Sequence, residues 1–88
     1  MERYQVIDAI DGEREYQNDQ ADEGTGHVVP DISLGDTLSA IRYNLEKAQD
    51  AWYQGRFPHA QSMVYIRKIA ALSVQAGEKH GMPRREGY

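Results

Sequence analysis

The stretch Pro58–His80, PHAQSMVYIRKIAALSVQAGEKH, decides the fold. Proline opens it, and a helix tolerates proline in its first turn because that N–H has no intrahelical partner. Gly81 followed by Pro83 closes it, a common helix stop. At 100° per residue, Met63, Ile66, Ile69, Ala70, Leu72 and Ala76 cover one broad side. Val64, Ala71 and Val74 cover much of the other, and Gln61, Lys68, Gln75 and Lys79 leave only a narrow polar stripe. A helix that is apolar on nearly every side is a buried one. So short a chain has few elements to bury it, so either the other segments wrap this helix or a second copy does.

The segment before it, Ser33–Gln54, carries the clearest period. Leu34, Leu38, Ile41, Leu45, Ala48 and Trp52 recur at four, three, four, three, four, an a/d seam of about three heptads. Ser33 and Asp36 have the spacing of a capping box, with Asp in place of Glu or Gln. Gly55, Arg56 and Phe57 are the whole link to the central helix, and a link so short predicts two antiparallel neighbours. The expected core is therefore a long antiparallel αα-hairpin, each helix about 30 Å long.

Upstream, Glu2 to about Gln20 reads as a first helix on the seam Val6, Ile10, Glu13, Gln17. Gly12 costs roughly 1 kcal/mol there relative to alanine and predicts a bend or a split. Gln20–Ile32, QADEGTGHVVPDI, has no helical period and reads as a loop. The tail GMPRREGY reads as polar and loosely held. The fold class is thus all-α: one domain over 1–88, with the first helix docked across the hairpin and the whole expected to be a homo-oligomer.

Composition narrows the function classes. The 88 residues hold 10 Lys/Arg and 14 Asp/Glu, a net charge of −4, which argues against a general phosphate-backbone binder and so against nucleic acid. There is no cysteine, which excludes disulfides and thiolate metal sites. MERYQVIDAIDGERE has no apolar leader, and no apolar run approaches a membrane span, so the expected location is cytoplasmic. No cofactor, no metal and no catalytic set is read from the residues. His27, His59 and His80 have no partner at i+4, and no Ser-His-Asp order or glycine-rich phosphate loop stands out.

Polar residues on the apolar seams mark the candidate site. Glu13 and Gln17 continue the seam of Val6 and Ile10, and Arg67 interrupts the apolar face of the central helix. A buried or half-buried arginine needs a carboxylate or other acceptors, so Arg67 is expected to pair with Glu13 or with a neighbour such as Glu15. Two readings stay open. The pair is a clasp that fixes how the first helix docks, or Arg67, Glu13 and Gln17 line a pocket for an anionic, nucleotide-like ligand, which the planar guanidinium suits. The tyrosines Tyr43 and Tyr53 lie off the heptad seam, and with His27 of the long loop they are candidates for partner binding. Asp8, Asp11 and Glu15, at helical spacing, raise a third reading, a magnesium-dependent nucleotide hydrolase. The all-α nucleoside triphosphate pyrophosphatases carry a Glu-Glu-x-x-Glu segment that this chain lacks, and a solvated acidic face explains such a run as well.

The segments Glu13–Gln17, Ala51–Trp52, Ile66–Leu72 and Glu78–Tyr88 resemble a group of small helical proteins encoded by bacteriophages and prophages. The resemblance spans most of the chain. It implies a protein made in the cytoplasm of a bacterial host and acting by binding, for example by blocking a host or host-defence protein. It implies no particular mechanism.

Overall fold

A computed structural model describes residues 1–22 and 32–87. Three helices account for most of them: α1, Arg3–Asp22; α2, Leu34–Gln54; and α3, Pro58–His80. A short 3₁₀ turn follows at Arg85–Gly87, and there is no strand among the described residues. The loop expected over 21–32, with His27, lies outside the described residues apart from its ends, where α1 runs on to Asp22.

Local chemistry sets the boundaries. The Ser33 hydroxyl caps α2 by accepting the Asp36 amide at 3.1 Å, which satisfies one of the free N–H groups of the first turn. The Gly55 amide donates to the Ala51 carbonyl at 2.9 Å and ends the helix. Gly55 has an ordinary negative φ of −73°. It is needed for close approach, because a Cβ there would run into the Ala51 carbonyl oxygen and the Gln61 side chain. Pro58 stands in the first turn of α3, and Lys79 and His80 stand in its last, where cations complement the helix dipole. Gly81, at φ +87°, makes the left-handed stop that glycine adopts without steric cost.

The expected split at Gly12 is absent, and α1 is one continuous helix. A Cβ at Gly12 would meet nothing within 4 Å. Gly12→Ala is therefore expected to stabilise the protein by about 0.5–1 kcal/mol, since it removes backbone freedom from the unfolded chain without a clash. A thermal melt checks this; a lower Tm would mean that close approach at Gly12 matters.

α3 is the central element. α2 packs along it, α1 lies across it, and α1 does not pack on α2 among the described residues. The crossing is legible in the contacts. One side of α1 (Ala9, Gly12, Tyr16) borders Arg67 and Lys68, and the other (Ile7, Asp11) borders Val74. Helices of about 30 and 35 Å set across each other fit a body of 37 × 36 × 23 Å.

The α2 seam does not face inward as a unit, which corrects the heptad reading. Ile41 and Ala48 turn toward α3, together with Thr37, Asn44 and Ala51. Leu34, Leu38, Leu45 and Trp52 are exposed. The inward stripe is small and polar, so the two helices approach closely. Thr37 is the largest fully buried side chain among the described residues, at 1 % exposure, and the buried hydrophobic residues there are Ala48 and Ala71. The polar groups inside are satisfied at short range. The Ser62 hydroxyl donates to the Ala48 carbonyl across the helix pair at 2.9 Å, while Thr37, Asn44 and Ser73 donate to carbonyls four residues back in their own chain segments.

Candidate functional site

Where α1 crosses α3, Glu13 is buried and Arg67 donates to it, Nε to Oε1, at 2.7 Å. The sequence left Glu13 and Glu15 both open as partners; Glu13 makes the pair. The Lys68 ammonium lies 3.5 Å from the second oxygen of the same carboxylate. The two ends differ in exposure: the Glu13 side chain is 5 % exposed and the Arg67 side chain 44 %. Arg67 is thus half-buried, and the carboxylate is the more deeply buried partner. The Arg67 side chain borders Val6, Ala9 and Ile10 of α1 and remains half-exposed.

Gln17, one turn beyond Glu13, also points inward, and its Oε1 is buried with no hydrogen-bond partner. An unsatisfied buried acceptor is costly, so a donor is owed at that point. On the other side of the crossing, the Arg14 Nε donates to Glu78 Oε1 at 2.6 Å and its Nη1 donates to Asn18 Oδ1 at 2.6 Å. The sequence reading missed this second ion pair. Arg14 sits off the apolar seam, so no break in periodicity advertises it, although Glu78 falls on the same side of α3 as Arg67.

Beside the Glu13–Arg67 pair is an open cleft of about 460 Å³, lined by Ala9, Gly12, Glu13, Tyr16, Arg67 and Lys68. It holds two cations and one carboxylate, so it carries a residual positive charge suited to an anionic group. Asp8, Asp11 and Glu15 are exposed on α1 and do not enter it. Among the described residues no group of three His, Asp or Glu side chains is placed to hold a metal ion.

A second feature lies on the flank of α3 between its two neighbours. There Met63 and Ile66 form the floor of an apolar trough. On one side it is bounded by Leu45 and Trp52 of α2, in a hollow of about 310 Å³. On the other it is bounded by Met1, Val6 and Ile10 of the N-terminal segment, in a hollow of about 220 Å³ that shares Ile66 with the first. The trough is open: Trp52 is 54 % and Leu45 48 % exposed. The Trp52 ring also leans on His59, with centroids 6.5 Å apart.

Tyr43 lies outside both features and is exposed, with the Lys47 ammonium 5.4 Å from the centre of its ring, whereas Tyr53, also exposed, borders the α2 side of the trough. No helix among the described residues is long and apolar enough to cross a membrane. No protein-family model matches the chain, and no curated protein and no solved structure matches it significantly.

Proposed function

We propose that this chain is a small phage-type accessory protein that acts by non-enzymatic binding to a host or host-defence protein in the bacterial cytoplasm. Its working form is a homo-oligomer built on the αα-hairpin of α2 and α3, in antiparallel pairing. One observation carries the reading: the small side chains are inside and the large ones outside. Thr37, Ala48, Ser62 and Ala71 are buried, while Leu38, Trp52, Tyr53 and Ile66 face solvent. A chain arranged this way has put its hydrophobic and aromatic material where other proteins reach it, and buried aromatics are the usual anchors of protein interfaces.

Tyr43 and Tyr53, both exposed on α2, are the proposed partner contacts. A tagged chain expressed in a bacterial host is expected to capture its partner, and Tyr43→Ser with Tyr53→Ser is expected to weaken capture at least tenfold. That corresponds to the loss of about 1–2 kcal/mol per anchoring aromatic. Tyr43 lies outside the trough, so Tyr43→Ser alone should leave the circular dichroism and the melt unchanged. Undiminished capture by the doubly substituted protein would overturn the assignment.

A second reading is favoured by the cleft at the α1–α3 crossing, which Arg67 and Lys68 line and Gln17 does not. In it the protein binds or sequesters an anionic, nucleotide-like molecule. Native mass spectrometry of gently purified protein separates the two. A retained nucleotide-sized mass, lost in Arg67→Ala, supports the ligand; bare protein mass supports the protein-binding reading. Nothing in the geometry favours the magnesium-dependent hydrolase.

A further inference from the structure

We infer that the apolar trough on α3 is closed by a second copy of this chain, related by a two-fold axis that passes near Leu45 and Ile66. The inference rests on the oligomeric part of the reading above and not on the host-protein part. The first argument is area. A folded monomer of 10.0 kDa is expected to expose about 5,200 Å², from the scaling of surface with mass. This chain exposes 7025 Å². The excess is more than the roughly 800 Å² that each partner of a standard interface covers.

The second argument identifies the occupant. Among the described residues the isolated chain buries two hydrophobic side chains, both alanine. A chain this short needs a core to stay folded. The side chains able to make one are those of the trough, so whatever covers it must be present whenever the protein is folded. A second copy meets that condition by construction; an occasional partner does not.

The third argument is shape. Leu38, Leu45 and Trp52, seven residues apart, form a straight ridge along α2. On α3 the same face runs from large to small, from Met63 and Ile66 to Ala70 and Ser73, with Gly77 beyond them covered by the Met82 side chain. Leu45 and Ile66 lie near mid-length of the α2–α3 pair. A two-fold axis at that level sets the large end of one floor against the small end of the other. The ridge of each copy then enters the trough of its mate. The product is a four-helix bundle of two hairpins with an isologous interface.

The test uses the full chain, which has no native cysteine to confuse cross-linking. Sedimentation equilibrium is expected to return the mass of two chains, and Tm is expected to rise with protein concentration, as it does when assembly and folding are linked. Leu45→Cys and Ile66→Cys, each near the axis, are expected to yield a disulfide-linked dimer under mild oxidation, whereas Tyr43→Cys on the outer face of α2 stays unlinked. A monomer with a cooperative, concentration-independent melt overturns the inference, whether or not it adsorbs to lipid vesicles or other proteins. So does a trimer, or a dimer in which neither Leu45→Cys nor Ile66→Cys cross-links. A monomer also removes the oligomeric part of the reading above, while the host-protein part is tested separately through Tyr43, which lies outside the trough.

Discussion

Replacing Ala71 with leucine is expected to lower the melting temperature by roughly 12–20 °C, equivalent to about 3 kcal/mol in a domain of this size. Ala71 is 0 % exposed. It lies within one turn of Arg67, Lys68 and Val74, the α3 residues that border α1. Its methyl group therefore sets the distance at which α1 crosses. Three added carbons have no void to enter, so α1 must lift or α3 must bend. Lifting α1 also pulls Glu13 away from Arg67 and Arg14 away from Glu78, which couples overpacking to the loss of two ion pairs. Ala71→Gly should cost far less, about 1 kcal/mol, through helix propensity. The measurement is a thermal melt at one fixed protein concentration. A Tm within a few degrees of the parent for Ala71→Leu would show that α1 is not seated on this residue.

The second large effect is an asymmetry within the Glu13–Arg67 pair. Arg67→Met is expected to destabilise by about 2–3 kcal/mol, because it leaves a buried carboxylate with only the Lys68 ammonium at 3.5 Å. Glu13→Leu is expected to cost about 1 kcal/mol or less. The arginine it strands is half-exposed and turns to water, and leucine fills the space with apolar surface. Combining the two substitutions should recover most of the loss from Arg67→Met, so a double-mutant cycle gives a strong positive coupling. Chemical denaturation of the four proteins provides the energies. Equal losses for both single variants, with no recovery in the double, would show that the pair does not act as a unit.

These two results bear on the alternatives left open by the site. A clasp predicts that Glu13→Leu with Arg67→Met keeps fold and partner capture. A ligand pocket predicts that the same protein folds but loses its bound anion, since Arg67 would hold the anion and Lys68 alone remains. Stability and ligand content, measured on one variant, therefore separate positioning from binding.

Several elements were legible in the chain itself. Pro58, Gly81 and Pro83 bracket α3, and Ser33 and Gly55 bracket α2, because capping and stopping are local events within one turn of the helix. Glu13, Gln17 and Arg67 stood out because each places a polar group where the apolar period asks for a hydrophobic one, and such a break needs a partner from another element. That need left Glu13 and Glu15 both open as partners of Arg67, and the structure pairs it with Glu13. Lys68 and the Arg14–Glu78 pair did not follow. Those residues sit where a helix ordinarily carries charge, so nothing in the pattern distinguishes a paired side chain from a solvated one.

The sequence by itself determined that the chain is helical, where its second and third helices begin and end, and which polar residues break the apolar stripes. Helical period and caps are properties of a few adjacent residues, and local residue order settles them. Only the tertiary structure decided which stripe faces which neighbour. The heptad of α2 names a hydrophobic seam, yet the close approach of α2 and α3 requires small side chains between them, so Thr37, Asn44 and Ala48 turned inward and Leu38, Leu45 and Trp52 turned out. It also decided that Glu13 rather than Arg67 is the buried charge, because burial depends on how far each side chain reaches past the crossing helix, and the longer arginine reaches water.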